Sequence, residues 1–161
     1  MAHAMGADYL EQDLVLSKDN VPVVLRDTLI DTVTDVATRF TDRKRTDGRY
    51  YALDFTAAEL KQLRVTERFH YKTGKPVYPS RFPDGKGAFE IVMLEEELEL
   101  IQTLNQSTGR NVCIYPVIKK LGWHREQGQD ISPIVVTLLK KCGYETKDDA
   151  CFLQYFEIAE V

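Results

Sequence analysis

The segment from residue 111 to residue 157 most constrains the fold, because it reads as strand, helix and strand in succession. The apolar runs NVCIYPVIK (111–119) and CFLQYFE (151–157) predict two strands. Between them, DISPIVVTLLKKCGY (130–144) predicts a helix, and Pro133 suits its first turn. Strands joined through a helix pair in parallel with a right-handed crossover. An α/β protein with a parallel sheet is therefore predicted.

The rest of the chain predicts two more strands, two helices and a long irregular segment. Alternating and apolar residues predict strands at 9–16 and 21–27. Helical periodicity predicts a long amphipathic helix at 94–109, and a capping-box pattern predicts a short one at 56–63. Residues 35–90 otherwise read as an irregular insertion. We expect all four strands to form one parallel sheet with the helices on its outer face.

Length and charge limit the classes of function. The 161 residues are the size of one domain, and the net charge of −4 argues against a nucleic-acid partner. The basic run RKR (43–45) stands beside acidic residues and is predicted to be a solvated loop. No apolar run is long enough to predict a transmembrane segment. The start, MAHAMGADYL, predicts no signal peptide; it reads as a last helical turn before a strand, with a further segment expected upstream.

The three cysteines do not have the spacing of a zinc site. Cys113, Cys142 and Cys151 are predicted to be small, buried, largely apolar side chains. A disulfide between Cys142 and Cys151 is the alternative, and it would require an oxidising compartment.

Candidate site residues stand near the predicted strand ends, where α/β barrels place their catalytic groups. Glu11 and Asp13 share one strand face, and Lys119 ends another strand. Two carboxylates opposite a lysine suit a hard divalent cation and a phosphate. The alternative to a binding site is that Glu11 and Asp13 lie on a solvated edge strand and that Lys119 lies at a solvated strand end. His124, beside Trp123, is predicted to be a surface residue in a loop.

Five longer motifs stand out: GADYLEQDLVLSKDNVPVVL (6–25), TDVATRF (34–40), DGRYYALDFTAAELKQL (47–63), VYPSRFP (77–83) and STGRNVCIYPVIK (107–119). Together they resemble those of the bacterial glycerophosphodiester phosphodiesterases. The resemblance is closest to the secreted, periplasmic type, which has an insertion after its early strands.

The resemblance implies a TIM-type (β/α)₈ barrel, of which residues 1–161 would form one partial domain with about half of the eight strands and the insertion at 35–90. It implies a periplasmic location and hydrolysis of a small-molecule glycerophosphodiester to glycerol 3-phosphate and an alcohol. The implied cofactor is a divalent cation, calcium or alternatively magnesium. Glu11 and Asp13 match the family's metal ligands, and Lys119 matches its phosphate-facing lysine.

The chain departs from the family pattern at three places. The opening His-Arg-Gly segment is absent, Arg26 replaces the second catalytic histidine, and Val117 replaces a third carboxylate ligand. Arginine stays protonated, so Arg26 cannot act as a general base but can bind a phosphate. Valine cannot ligate a metal, so weak cation binding is expected.

These departures leave the function of the chain itself open. We expect the chain alone to be inactive, and a non-catalytic relic or binding module of the family is the alternative. An unrelated metal-binding or interaction domain is a third possibility. A half barrel also predicts self-association or pairing with a complementary half barrel.

Overall fold

The computed structural model describes residues 1–79 and 89–155, which contain one four-stranded sheet and five α-helices. The strands are β1 (Tyr9–Leu16), β2 (Pro22–Val24), β3 (Cys113–Ile118) and β4 (Gln154–Tyr155), in the spatial order β2-β1-β3-β4. The helices are α1 (Val36–Arg39), α2 (Ala57–Leu60), α3 (Leu94–Thr108), α4 (Leu121–Glu126) and α5 (Ile131–Lys141), with a short 3₁₀ helix at Ala52–Asp54. None of the described helices is long and apolar enough to cross a membrane.

The centre of the sheet is parallel, as the sequence predicts. β1 pairs with β3 from Tyr9 opposite Cys113 to Leu14 opposite Ile118. β4 pairs in parallel with the other edge of β3, so β3, α5 and β4 form the predicted crossover unit. Within the described residues, the predicted last strand pairs with β3 at Gln154 and Tyr155 and through an isolated parallel bridge from Cys151 to Ile114. Residues 156 and 157 lie outside the described part.

The prediction of a parallel strand at 21–27 is wrong. The structure has a three-residue strand, β2, which pairs antiparallel with the end of β1. Only a short turn separates the two strands, and Ser17 closes it by accepting a hydrogen bond from Asn20 N at 3.2 Å. A parallel connection needs a crossover of about a dozen residues or more, so a turn this short permits only a hairpin.

One core lies between the sheet and the helices α3 and α5. Leu14 and Leu16 of β1 are fully buried in it, with Ile114 and Ile118 of β3. The predicted helix at 94–109 is confirmed: Leu94, Leu98 and Ile101 line its buried face, and Gly109 ends it at φ 65°. The helices α3 and α5 therefore cover one face of the sheet, and the opposite face carries the site beside residues of the insertion that pack on Val15.

The segment between β2 and α3 builds a second core. Its large buried residues pack with Val15 of β1 and Val23 of β2; they include Tyr50, Phe55, Leu60, Leu63 and Ile91. The predicted capping box is present at the start of α2, with Thr56 and Glu59 bonding each other's backbone N–H. This part of the chain is thus packed onto the sheet despite its few regular elements.

The prediction that residues 43–45 form a solvated loop is wrong for its two arginines. Arg43 pairs with Glu59 at 2.9 Å and Arg45 with Asp54 at 2.7 Å, each partly shielded from solvent. Lys44 alone of the three is exposed. The basic run therefore holds the insertion together.

The cysteines are free thiols, each partly buried. Cys142 and Cys151 pack against the first core, and burial raises the pKa of both, that of Cys151 to about 11. A thiol with a raised pKa is a poor nucleophile at neutral pH, because the thiolate is the reactive form. The prediction of small, buried, largely apolar side chains therefore holds in part, since all three cysteines are only partly buried.

Candidate functional site

The candidate site lies on the sheet face that the helices leave uncovered. Glu11 and Asp13 of β1 stand directly opposite Tyr115 and Val117 of β3 in the parallel register. Side chains alternate between faces along a strand, and Leu14 and its even-numbered neighbours point to the helices. The two carboxylates therefore share the uncovered face, as their spacing predicts.

Asp13 and Lys119 form an ion pair at the C-terminal ends of the two central strands. Lys119 Nζ lies 2.7 Å from Asp13 Oδ1, and the side chains are only 18% and 21% exposed. The backbone N–H of Lys119 also donates to the carbonyl oxygen of Leu14 at 2.9 Å, which continues the ladder beyond β3. Partial burial strengthens the attraction relative to a pair in bulk water.

Glu11 lies two residues before Asp13, nearer the start of β1, and its side chain is exposed. Its carboxylate forms no hydrogen bond or ion pair with any residue of the described ranges 1–79 and 89–155. It borders an open cavity of about 450 Å³, which Tyr9, Tyr115 and Phe152 also line. Glu11 is therefore available to a ligand, whereas Asp13 is already paired.

Arg26 is the next residue after Leu25, which contacts Asp13. The backbone N–H of Leu25 donates to the carbonyl oxygen of Asp13 at 2.8 Å, so the backbone of Arg26 lies near the residue that forms the ion pair. Arg26 is exposed and has no hydrogen-bond or ion-pair partner among the described residues. The next residue, Asp27, is held by Arg68 at 2.6 Å.

The residues present do not fit a complete divalent-cation site. Val117 stands opposite Asp13 and is 1% exposed, and it offers no oxygen ligand. Across the described ranges, no three histidine, cysteine, aspartate or glutamate side chains are grouped as metal ligands. One of the two carboxylates also has a lysine ammonium against it. Two carboxylates fall short of the six to eight oxygen ligands that calcium takes.

The prediction that His124 is a surface residue in a loop is wrong. His124 lies in α4 with no exposed surface, and its ring packs edge-on against Trp123. Burial lowers the pKa of His124 to about 4, against a smaller opposing effect of Gln129. The ring is therefore neutral at pH 7. Trp123 in turn stacks on Tyr51 of the insertion.

The other two histidines lie away from the strand ends that carry Asp13 and Lys119. His3 bonds Asn105 Oδ1 at 3.0 Å, near the end of α3 and the start of β3. His70 is exposed within the insertion. None of the three histidines is thus in the position of a proton-transfer group beside the ion pair.

Gln12 is a supporting residue whose role sequence reasoning missed. It is fully buried between the strands and α3, where its Oε1 accepts from the backbone N–H of Tyr115 at 3.2 Å. Its Nε2 donates to Glu97 Oε1 at 3.5 Å, and burial raises the pKa of Glu97. Gln12 therefore helps to hold β1 against β3 next to Glu11 and Asp13. In the sequence, a polar glutamine among the leucines of this strand face was the feature that could have indicated the role.

Comparison with known protein families identifies the family of this chain. The profile of the glycerophosphoryl diester phosphodiesterase family matches residues 1–161. The chain belongs to this family. A glycerophosphodiester phosphodiesterase of Haemophilus influenzae is 47% identical over the whole chain, and one of Treponema pallidum is 44% identical. The chain spans only 45% and 46% of the length of these relatives.

Solved structures of the phosphodiesterase family agree with the predicted fold. A phosphodiesterase of Oleispira antarctica, in complex with sn-glycerol-3-phosphate, has a TM-score of 0.61 at 20% identity. A glycerophosphodiester phosphodiesterase of Agrobacterium tumefaciens has a TM-score of 0.58 at 18% identity. They cover 98% and 97% of this chain, which covers 49% and 48% of them. The chain is thus a partial TIM-type barrel, about half of the whole.

Proposed function

We propose that this chain carries one part of a site that, in a whole enzyme of the family, hydrolyses glycerophosphodiesters to glycerol 3-phosphate and an alcohol. The observation that carries the proposal is the Asp13–Lys119 ion pair, with Glu11 and Arg26 near it, at the C-terminal strand ends of a partial barrel. Barrel enzymes build their sites at that end. A periplasmic location is part of the proposal and rests on the resemblance to the secreted type.

The two basic side chains suit a substrate phosphate. Lys119 presents a point charge, and the exposed guanidinium of Arg26 can donate two parallel hydrogen bonds to phosphate oxygens. Asp13 holds Lys119 in place at 2.7 Å. We expect a phosphate to share the ammonium with this carboxylate, while Arg26 supplies charge that no described residue neutralises.

Hydrolysis also requires groups that take up and give back protons. An arginine guanidinium has no acceptor for a proton, and the ring of His124 is fully buried away from solvent. We therefore propose that this chain binds the phosphate, whereas neither Arg26 nor His124 can transfer a proton in hydrolysis. A non-catalytic binding module is the second candidate, favoured by the same two replacements, Arg26 and Val117.

We expect no detectable hydrolysis of glycerophosphocholine by this chain. Each missing acid–base group is worth about 10²–10⁴-fold in rate. A coupled assay for glycerol 3-phosphate, with calcium or magnesium present, measures this. Turnover of about 1 s⁻¹ or faster, in the range of ordinary enzymes, would contradict the expectation if Glu11→Ala abolished it. Binding of glycerol 3-phosphate that Lys119→Met weakens would favour the binding module.

We expect only weak binding of calcium. Glu11 and Asp13 are two carboxylates without a third, and calcium affinity follows the number of charged ligands, which places the dissociation constant at about 1 mM or weaker. Calorimetric titration measures it, and Asp13→Asn should weaken it further. Nanomolar binding would reveal a ligand outside this pair, and identical titrations of wild type and Asp13→Asn would refute the site.

We also propose that the isolated chain self-associates or takes up a complementary half barrel. The uncovered sheet face presents Tyr9 and Phe152, which are 54% and 52% exposed. Exposed apolar surface favours association. Size-exclusion chromatography with light scattering should show dimers or larger species. A compact monomer at high concentration that binds no hydrophobic dye would speak against this part of the proposal.

A further inference from the structure

Arg45 of the insertion reaches α4 with its guanidinium. Its Nε and Nη2 donate to the two carboxylate oxygens of Asp54, each at 2.7 Å, and its Nη1 donates to Gln127 Oε1 at 2.9 Å. Asp54 belongs to the insertion, whereas Gln127 caps the C-terminal end of α4. Because the guanidinium is planar and rigid, it fixes both partners relative to each other. Arg45 therefore joins two segments that are 82 positions apart.

Stacked aromatic rings accompany these bonds. The ring of Tyr51 lies 5.4 Å from that of Trp123 in α4, with an angle of 17° between the planes. The guanidinium carbon of Arg45 lies 4.4 Å from the ring centroid of Tyr51 and 5.9 Å from that of Trp123. A cation close to aromatic rings is attracted to their faces. Together with Asp54 and Gln127, these three residues form one contact between the insertion and the helix, the α4 clamp.

The helix that the clamp holds begins almost directly after Lys119. Only Lys120 separates Lys119 from Leu121, the first residue of α4. The backbone of Lys120 has a φ of 53°, in the left-handed region that costs free energy for any residue except glycine. Such a conformation persists only where the surrounding structure holds it. A shift of α4 would therefore let Lys120 relax and would move Lys119 with it.

The insertion also holds the segment that carries Arg26. Asp27, the next residue, pairs with Arg68 of the insertion at 2.6 Å. The insertion is thus bonded beside both basic residues that suit a substrate phosphate, Arg26 and Lys119. These two side chains must converge on the oxygens of one small anion, so the site depends on their spacing.

We propose that Arg45 is a positioning residue of the phosphate site, which acts through α4 to set where the ammonium of Lys119 stands relative to Arg26. The inference rests on the proposed function, because it concerns the same site and the same class of ligand, a phosphate ester. Arg45 contributes little charge of its own, since Asp54 neutralises it. The insertion thereby controls a site to which it supplies no phosphate-binding group.

Arg45→Met tests the clamp, because it removes the bonds to Asp54 and Gln127. Binding of glycerol 3-phosphate, followed by phosphorus NMR, should weaken about fivefold, as for other residues that act on a site without touching its ligand. Trp123 is the single tryptophan of the chain and supplies a spectroscopic readout. Its fluorescence emission should shift to longer wavelength in the variant, because the ring separates from Tyr51 and meets water.

Arg43→Met is the matched control. Arg43 stands in the same basic run, pairs with Glu59 at 2.9 Å and lies over the ring of Phe55, and both partners belong to the insertion. Its substitution should lower the free energy of unfolding but leave glycerol 3-phosphate binding and the emission of Trp123 unchanged. A purely stabilising role of Arg45 within the insertion predicts instead that the two variants bind alike.

Two further variants make the test independent of the folding of Arg45→Met. Arg45→Lys keeps a charge beside Asp54, but a single ammonium cannot reproduce the fork that also holds Gln127, so binding should still weaken. In a Lys119→Met background, Arg45→Met should have no further effect, because the side chain that it positions is gone. Circular dichroism confirms that each variant is folded.

The outcomes separate this inference from the proposed function. If wild type binds glycerol 3-phosphate and Lys119→Met weakens the binding, the proposed function stands. Unchanged binding by folded Arg45→Lys and Arg45→Met would then overturn the role of Arg45, and so would equal weakening by Arg43→Met. If wild type shows no saturable binding, or if Lys119→Met binds as tightly as wild type, the proposed function fails and the inference fails with it.

Discussion

Replacing Leu14 with alanine is expected to lower the free energy of unfolding by about 2–5 kcal/mol, the usual loss for a fully buried leucine. Leu14 has no exposed surface, and it stands at the middle of the sheet opposite both Val24 and Ile118. The truncation leaves a cavity between the sheet and the helices that the surrounding side chains can fill only in part. Urea unfolding at low protein concentration should show a lower midpoint at an unchanged slope.

Leu100→Ala provides the matched control. Leu100 belongs to α3 but is 57% exposed, so the same substitution removes little buried surface. Its effect should stay within about 0.5 kcal/mol. Similar losses for Leu14→Ala and Leu100→Ala would show that the sheet–helix core does not dominate the stability of this chain.

The second large effect is expected on acidification, through His124. Its pKa is about 4 in the folded chain against an ordinary value of 6.5, because burial opposes the charged ring. The unfolded chain therefore binds a proton first, and the cost to the folded state begins below pH 6.5 and grows until pH 4. The difference of about 2.5 pKa units corresponds to a loss of about 3 kcal/mol at pH 4 and below.

Comparing His124→Leu with wild type isolates this contribution. The variant cannot take up the proton, so its stability should fall less between pH 6.5 and pH 4. Carboxylates with lowered pKa values, such as Asp35 and Glu96, also lose stabilisation on acidification, but they do so equally in both proteins. His70→Leu is the control, because His70 is exposed, and its curve should follow wild type. Parallel curves for His124→Leu and wild type would contradict the assignment.

The periodicity of apolar residues predicts those helices and strands that are long enough to contain several repeats of the pattern. The long helix α3 and the strand β1 were predicted at nearly their observed bounds, because eight to fifteen residues carry several repeats of the pattern. The shared face of Glu11 and Asp13 followed from the same period of two. Their role as metal ligands came from the resemblance alone, and it stays a prediction.

What the sequence could not predict depends on residues far apart in the chain. The six-residue helix α4 has fewer than two turns, and its neighbour in space, Tyr51 of the insertion, which stacks on Trp123, is distant in the sequence. The arginines at 43 and 45 looked solvated because their acidic partners stand sixteen and nine positions later, respectively. The ion pair between Asp13 and Lys119 required the register of β1 against β3. The hairpin at β2, by contrast, follows from the short turn before it, which is too short for a parallel connection.

The pairing of β1 with β3 has a consequence for how the chain folds. Gln12 and Tyr115, which bond across this pair, are 103 positions apart. Bringing such distant segments together must overcome the entropy of closing a long loop, and non-local pairing slows folding. The β1–β2 hairpin and the core of the insertion use much nearer contacts, so they can form first and shorten the effective loop. Early folding of the insertion would then speed the pairing of β1 with β3, which brings Asp13 and Lys119 together.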